Sequence, residues 1–192
     1  MASDMEVIEA VLAGDVDRYA ELVTRYQRAA WGLAYGMVAN MDDARELSQA
    51  GFAKAFRHLR AFRRQAAFST WLYRIVMNEC KDHLRRLARM PRTVPLVAAG
   101  PADAPELEFE LADSGNDPAV VAQQHELAHR IAQGIAVLRG NAHEAFLLHH
   151  VHGLSLEETA QILQCRVGTV KTHVFRACEQ LRRLLSDLVK EG

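Results

Sequence analysis

Residues 155–183 read SLEETAQILQCRVGTVKTHVFRACEQLRR, and this stretch predicts two helices joined by a short turn. The segment Ser155-Leu-Glu-Glu158 has the spacing of a capping box, in which serine and glutamate side chains satisfy backbone amides at the start of a helix. Ala160 lies on the inner face of that helix, where its small side chain lets a partner helix approach closely. A turn begins at Gln164, and a longer helix starts near Val167.

The longer helix is amphipathic, because its apolar residues recur at steps of three and four. Its apolar positions are Val167, Val170, Val174, Ala177, Leu181 and Leu184. Its candidate nucleic-acid contacts are Arg166, Thr169, Lys171, Thr172, His173 and Arg176. Five basic residues stand against one acidic residue between positions 166 and 183, a net charge of +4. This pattern is typical of a helix-turn-helix, whose second helix enters the major groove of DNA; an ordinary helical hairpin with a solvated basic face is the alternative.

Helical periodicity also runs through the N-terminal half. Four helices are predicted there: one from a capping box at Ser3 and Glu6 to Gly14, one over 17–38, one from about Asp42, and one over 69–89. Together they would form a four-helix bundle with one core. Helical periodicity returns over residues 119–192, and no segment alternates convincingly as a strand. The predicted fold class is therefore all-α, with two small helical domains at residues 1–90 and 119–192.

The stretch between the two predicted domains has a different composition. All five prolines of the chain lie between Pro91 and Pro118, and six acidic residues stand there against one arginine, a net charge of −5. Proline at this density prevents a continuous helix and favours extended backbone. Residues 91–118 are therefore predicted to be a flexible acidic linker, with a disordered tether that has no role of its own as the alternative.

The total charge hides a segregation along the chain. There are 23 Lys and Arg residues against 24 Asp and Glu residues, and a formal net charge of −1 argues by itself against a nucleic-acid binder. From Lys54 to Arg89, however, ten basic residues stand against two acidic ones, a net charge of +8. The composition therefore excludes only a uniformly basic protein, and it indicates that different segments meet different partners.

The fourth predicted helix and the turn before it combine cations with aromatic rings. One face of the helix carries, at spacings of three and four, Trp71, Arg74, Asn78, Lys81 and Arg85. The preceding residues include Phe62, Arg63 and Phe68. Such a set suits single-stranded nucleic acid, because cations neutralise phosphates while rings stack on unpaired bases. The alternative is that the rings belong to the core beneath a solvated basic surface.

Cysteine usage and the N-terminus bound the class of protein further. Cys80, Cys165 and Cys178 are widely spaced and form no C-x-x-C pair, so we expect no disulfide framework. The N-terminus is acidic where a signal peptide would be basic, and no apolar run reaches the ~18 residues of a membrane span. We therefore expect a soluble intracellular protein.

Three blocks of sequence resemble one known family. Residues 68–75, FSTWLYRI, followed by Asn78, resemble conserved region 2 of the extracytoplasmic-function (ECF, group 4) sigma factors of bacterial RNA polymerase. Residues 43–49, DARELSQ, are similar to the preceding helix of that region. Residues 153–160, GLSLEETA, with residues 167–171, VGTVK, resemble region 4 of the same family. The blocks occur in the family's order and lie in both halves of the chain.

The resemblance implies a sigma factor that binds core RNA polymerase, directs it to specific promoters and helps to open the −10 element, with no catalytic residue, cofactor or small-molecule substrate. Core polymerase would be bound through the third helix, at Asp43, Glu46, Leu47, Gln49 and Phe52. The melted −10 strand would be held by Phe62, Arg63, Phe68, Ser69, Trp71, Arg74, Asn78, Lys81 and Arg85. The duplex −35 element would be read by the candidate residues of the helix-turn-helix. The resemblance also implies a cytoplasmic protein held inactive by an anti-sigma factor, which could keep it at the inner face of the membrane.

Several positions depart from the family's pattern. Residues 50–51, Ala-Gly, follow Gln49 where the family usually has a carboxylate, so we expect altered polymerase affinity. Residues 64–67, RQAA, lack the usual glycine and acidic residues, so the base preference at −10 does not carry over. Gln164 replaces the usual turn glycine, and His173 stands where arginine is common. Because histidine does not make the bidentate pair that arginine makes with guanine, we expect a different −35 preference.

Two other classes remain as alternatives. Residues 169–174, TVKTHV, are close to the recognition helix of LuxR-type regulators, which would act without binding core polymerase. Residues 125–129, HELAH, fit the H-E-x-x-H pattern of zinc hydrolases, and His149, His150 and His152 could offer a further ligand. The helical, aromatic and basic N-terminal half argues against the first class. The lack of a predicted strand beside a cleft argues against the second, so we expect no metal site and no enzyme.

Overall fold

The computed structural model describes residues 2–89, 138 and 140–190, with side chains as far as residue 183. Every regular element in these ranges is helical, which confirms the all-α prediction. The α-helices are α1 (Asp4–Leu12), α2 (Tyr19–Val38), α3 (Met41–Arg57), α4 (Phe68–Arg89), α5 (Gly140–Phe146), α6 (Leu156–Leu163) and α7 (Val167–Lys190). Short 3₁₀ turns lie at Val16–Arg18 and Leu59–Ala61, and a π-helical turn lies at Leu147–Val151.

Both predicted capping boxes form, and they fix the starts of α1 and α6. The Ser155 hydroxyl accepts the Glu158 amide at 3.1 Å, and the Glu158 carboxylate accepts the Ser155 amide at 2.9 Å. Ser3 and Glu6 make the same reciprocal pair at the start of α1. These bonds satisfy amides that have no partner within the helix. The sequence signals therefore located these two helix starts correctly.

The N-terminal helices pack as a bundle in which α2, α3 and α4 each contact the other two. Leu22, Leu33 and Leu72 are fully buried in its core. At Gly51, α3 passes so close to α4 that an added Cβ would lie 2.6 Å from Cγ2 of Val76. The glycine that departs from the family pattern is thus the point where the two helices meet.

The C-terminal helices α6 and α7 form the predicted helix-turn-helix. Val170, at the start of α7, is fully buried against Ala160 of α6, and Ala145 of α5 completes this small core. The turn begins at Gln164, whose φ of 54° is left-handed, a conformation for which the family's usual glycine is better suited. The prediction that the small side chain of Ala160 lets the partner helix approach closely is confirmed.

The two halves share one hydrophobic core. Leu147 and Leu148 of the π-helical turn and Ile162 of α6 belong to the same buried cluster as the N-terminal bundle. Helix α6 packs on α4, and the π-helical turn packs on α2. The predicted linker at 91–118 and the H-E-x-x-H segment at 125–129 lie outside the described residues.

Candidate nucleic-acid and polymerase interfaces

A cleft of about 460 Å³ opens beside the start of α4, in the stretch predicted to bind a single strand. Its lining residues include Phe62, Arg63, Arg64, Trp71, Arg74 and Gln161. Arg63 and Arg74 make no ion pair with any residue in the described ranges, whereas Arg64 pairs with Glu9 at 2.9 Å. The cleft therefore combines an aromatic wall with two cations that are free to meet a phosphate.

The aromatic wall is a cluster of three rings. Phe62 lies 5.2 Å from Trp71 and 5.9 Å from Phe68, between ring centroids, and Phe68 lies 5.9 Å from Trp71. Phe68 is only 2% exposed and Phe62 only 9%, while Trp71 is half-buried. Both rings therefore pack mainly in the core, although Phe62 also lines the cleft, and their contact with the DNA strand stays a prediction. They support Trp71, which keeps part of its ring at the surface.

The remaining predicted strand contacts follow the same face of α4. Ser69 and Arg74 are half-buried, and Asn78 is exposed. Arg85 pairs with Asp82 of its own helix at 2.8 Å. The Lys81 ammonium lies 2.6 Å from the carboxylate of Glu144 in α5. Lys81 is thus neutralised by the other half of the chain, a long-range contact that local sequence reasoning could not find.

Helix α3 carries the residues predicted to contact core polymerase. Some of them lie at the surface and others lie in the core. Glu46 and Gln49 are exposed, and Asp43 is half-buried beside His83, with 3.4 Å between carboxylate and ring nitrogen. Leu47 and Phe52 are only 4% and 7% exposed. These two side chains hold α3 in the bundle, and their direct contact with core polymerase stays a prediction.

Phe56 is an exposed apolar residue of α3 that sequence reasoning did not assign to the polymerase-binding surface. It is 40% exposed, and its ring lies 4.9 Å from that of Tyr19, measured between centroids. Phe56 follows Gln49 by seven residues, so it lies on the same face of the helix. That spacing is the signal by which the sequence could have revealed it.

The recognition helix α7 and the residue before it, Arg166, present most of the predicted DNA contacts to solvent. The exposed side chains are those of Arg166, Thr169, Lys171, Thr172 and Arg176, and His173 is half-buried. Thr172 donates its hydroxyl hydrogen to the carbonyl of Gly168 at 3.0 Å.

Phe175 is 66% exposed on the outer face of α7, and the sequence analysis overlooked it. It lies three residues after Thr172 and directly before Arg176, within the surface that was assigned to DNA. An exposed ring at this position has no packing role in the described residues. Its chemistry suits the methyl group of thymine, which apolar side chains contact in the major groove.

The histidines after α5 have separate environments. His149 contacts the carbonyl of Leu154 at 2.7 Å through Nδ1, and His150 lies 3.7 Å from the sulfur of Cys178. Burial lowers the pKa of His152 to about 4, because the charged ring would lose its hydration. No group of three potential ligands gathers at one point in the described ranges, and residues 125–129 fall outside them.

No helix in the described part of the chain has the length and apolar character that a bilayer crossing requires.

Two family models match the chain, and they match the two halves that the helices define. Residues 22–90 match Sigma-70 region 2. Residues 128–181 match Sigma-70, region 4. The first range contains the cleft and α3, and the second contains the helix-turn-helix.

Full-length relatives and solved structures agree with this match. RNA polymerase sigma-H factor of Pseudomonas aeruginosa is 35% identical over 98% of this chain and 97% of its own length. ECF RNA polymerase sigma-E factor of Haemophilus influenzae is 33% identical over 97% of both chains. CnrH, solved with the cytosolic domain of CnrY, has 24% identity and a TM-score of 0.68 over 97% of this chain and 99% of its own.

A second solved structure, the sigma factor RpoE of Bartonella quintana in complex with the anti-sigma factor NepR, has 23% identity and a TM-score of 0.64. It covers 88% of this chain and 96% of that one. With two region models in order and relatives aligned over nearly their full length, the chain belongs to the ECF sigma factors, which bind core RNA polymerase and direct it to promoters.

Proposed function

We propose that this sigma factor binds its partners through three separate surfaces. They lie on two domains, residues 1–90 and residues 119–192, which a linker at residues 91–118 joins. The cleft at Trp71 and Arg74 holds the melted −10 strand, α7 reads the duplex −35 element, and the exposed face of α3 meets core polymerase. The single observation that carries this assignment is the cleft, which sets a partly exposed ring beside unpaired cations.

The cleft can stabilise an opened strand without a catalytic group. An extruded base stacks on Trp71, which contributes ~1–3 kcal/mol. Arg63 and Arg74 meet the flanking phosphates, and the exposed amide of Asn78 can donate to a base edge. Unstacking a base from the duplex costs a few kcal/mol, so these contacts are of the size needed to offset it. We infer that the protein acts by binding alone and is not an enzyme.

Helix α7 suits the major groove through its exposed basic and hydroxyl side chains. Arg176 can make a bidentate pair with guanine, while Lys171 and Arg166 contact phosphates and set the register. The half-buried His173 has less reach than an arginine would have. Phe175 adds an apolar contact, so we propose that it takes part in reading the −35 element.

Core polymerase would contact the exposed side chains of Glu46, Gln49 and Phe56. The half-buried Asp43 would lie at the edge of this interface. The exposed ring and carboxylate supply the apolar centre and polar rim that protein interfaces use. Leu47 and Phe52 act indirectly, by fixing the position of α3 in the bundle.

We infer that an anti-sigma factor controls this chain by covering such surfaces. The support is the printed description of two similar structures, RpoE with NepR and CnrH with CnrY. The protein would then work in the cytoplasm with polymerase, and an anti-sigma factor could hold it at the inner face of the membrane. No contact in the described residues identifies that partner.

Run-off transcription with core polymerase tests the proposal. Trp71→Ala and Asn78→Ala should reduce promoter opening, seen by permanganate reactivity of unpaired thymines, while binding to core polymerase stays unchanged. Trp31→Ala is the matched control, because Trp31 is also half-buried but stacks on Tyr35 of α2, away from the cleft. Equal loss of opening and polymerase binding would make Trp71 and Asn78 structural. Duplex binding without any stimulation of core polymerase would instead favour a helix-turn-helix repressor.

A further inference from the structure

Helix α1 precedes the range that matches Sigma-70 region 2, which begins at residue 22, and none of the three proposed surfaces includes it. Its inner face is apolar, with Val7, Ile8 and Val11 buried in the core of the N-terminal bundle. Its acidic residues Asp4 and Glu9 contact side chains of α2 and of the loop before α4. Helix α1 therefore has two separate connections to the surroundings of the cleft at Trp71.

The first connection is a chain of aromatic rings. The Asp4 carboxylate accepts the hydroxyl hydrogen of Tyr26 and forms an ion pair with Arg25, the preceding residue of α2. The ring of Tyr26 lies 5.7 Å from that of Phe68, between centroids, and Phe68 packs in turn on Trp71. Because a close-packed interior leaves little free space, a shift of Tyr26 must move Phe68. The position of the partly exposed Trp71 ring therefore depends on Asp4.

The contact at Asp4 is built from several bonds and is partly shielded from water. Only 21% of the Asp4 side chain and 24% of the Arg25 side chain are exposed. The Arg25 guanidinium also donates to the carbonyl of Ala2 at 2.8 Å. A partly buried pair is screened by salt much less than an exposed one. This end of α1 is thus fixed on α2 beside the ring chain.

The second connection holds the loop at residues 63–66, which borders the cleft. Glu9 pairs with Arg64 at 2.9 Å, and Arg64 lines the cleft. The φ of Arg64 is 59°, a left-handed conformation that few residues other than glycine adopt. Such a backbone persists only where neighbouring contacts hold it, and the Glu9 carboxylate supplies one. Helix α1 also packs on the turn at Leu59–Ala61, which leads into this loop.

We propose that α1 belongs to the strand-binding site, with Asp4 and Glu9 as positioning residues. Asp4 holds Trp71 through Tyr26 and Phe68, and Glu9 holds the loop at residues 63–66 through Arg64. The inference rests on the proposed role of the cleft in holding the −10 strand. A cleft that is already in its binding conformation loses less conformational freedom when a base enters. Helix α1 therefore increases the affinity for a strand that it does not contact.

The fluorescence of Trp71 tests the ring chain without any DNA. Trp31→Phe leaves Trp71 as the only tryptophan of the chain. In this background Asp4→Ala should increase the quenching of Trp71 by acrylamide about twofold, because a half-buried ring that loses its support about doubles its accessible surface. Tyr26→Phe, which removes only the hydroxyl, should have a similar effect, and the double variant should show no more than either change alone. Asp4→Asn keeps an oxygen that can accept from Tyr26 and should recover most of the wild-type value.

Trypsin tests the loop, because it cleaves after Arg63. Arg64→Glu sets two carboxylates against each other, and adding Glu9→Arg restores an ion pair with the charges exchanged. The residue after Arg63 is the same in both variants, so a difference in cleavage after Arg63 reports the pairing alone. The exchanged pair should slow this cleavage about threefold relative to Arg64→Glu.

Strand binding tests whether the positioning contributes to affinity. Asp4→Ala is compared with Glu79→Ala, which also removes one carboxylate that is 21% exposed and paired with a cation of a neighbouring helix. The affinity of Asp4→Ala for a short dye-labelled single-stranded DNA, measured by fluorescence anisotropy, should be about fivefold lower than that of Glu79→Ala, the lower limit for loss of one stacked base. Circular dichroism verifies that both variants keep their helix content.

Equal strand affinities for Asp4→Ala and Glu79→Ala, with unchanged quenching of Trp71, would overturn the proposal. Equal cleavage of Arg64→Glu with and without Glu9→Arg would overturn its second part, the role of Glu9. If Asp4→Ala increases the quenching while Trp71→Ala binds the strand as the wild type does, the proposed strand surface fails and the positioning of Trp71 by α1 stands.

Discussion

Gly51→Ala tests the close approach of α3 and α4 on which the N-terminal bundle depends. The added Cβ would lie 2.6 Å from Cγ2 and 3.5 Å from Cα of Val76, so Cγ2 must move by about 1 Å to reach an ordinary contact distance. Val76 is fully buried and β-branched, and such a side chain has one strongly preferred rotamer in a helix. The side chain therefore cannot turn aside, and the two helices must separate.

Two opposing effects decide the sign of the change in stability. Alanine is better than glycine in a helix interior by about 1 kcal/mol. Overpacking a well-filled core costs about 1–3 kcal/mol. Because the rotamer of Val76 is fixed by its own helix, Cγ2 cannot move aside, and we take the upper part of the range for overpacking. We expect a net loss of about 1–2 kcal/mol and a Tm lower by about 4 °C, measured by circular dichroism.

Two further variants make the Gly51 experiment decisive. Gly168→Ala places the same substitution in α7, where no atom lies within 4 Å of the new Cβ, and it should leave stability equal or higher. Gly51→Ala with Val76→Ala should be less destabilised than the sum of the two single changes, because the second makes room for the first. If Gly51→Ala stabilises the protein as Gly168→Ala does, the close approach of α3 and α4 is refuted.

Three other outcomes follow from the caps, the buried histidine and the recognition helix. Ser155→Ala should cost about 1 kcal/mol by leaving an amide of α6 without its acceptor, seen as a lower Tm. The free energy of unfolding should fall by about 3 kcal/mol as pH falls from 6.5 to 4, because His152 binds a proton in the unfolded chain but not in the folded one, where its pKa is about 4. Chemical denaturation of His152→Gln should show a weaker dependence of this free energy on pH over the same range. Arg176→Ala should weaken binding to a −35 duplex, chosen beforehand by selection with the wild-type protein, by about 5- to 100-fold, measured by fluorescence anisotropy. A comparable loss of affinity for a duplex of random sequence would show instead that Arg176 contacts a phosphate.

The elements that the sequence predicted well are those with local signals. The boxes at Ser3 and Ser155 located α1 and α6, and the steps of three and four residues placed Val170 and Ala177 in the core of the C-terminal half. These signals depend on residues within a few positions of one another. Because local geometry alone produces these caps and buried positions, the structure contains them as predicted.

The site residues whose exposure the sequence left open lie at the border between a buried and an exposed face. Phe68, Leu47 and Phe52 lie in matching segments, but their helices turn them into the core. A helical pattern gives the direction of a side chain only to within part of a turn, and a bulky ring is equally suited to packing and to stacking. Burial depends on the neighbouring helices, which the pattern of one segment does not specify. For the same reason, the exposed Phe56 and Phe175 were missed.

The net charge of +8 between Lys54 and Arg89 is partly offset by acidic residues that form ion pairs with its cations. Lys54 pairs with Glu79, Arg64 with Glu9 and Arg85 with Asp82, so these cations are offset within residues 2–89. Lys81 differs, because its carboxylate partner Glu144 belongs to α5, in the other half of the chain. The charge that this face of α4 offers to a phosphate therefore depends on a residue distant in the sequence. Since strand binding depends on such charges, the net charge of residues 54–89 overstates the attraction of the −10 surface.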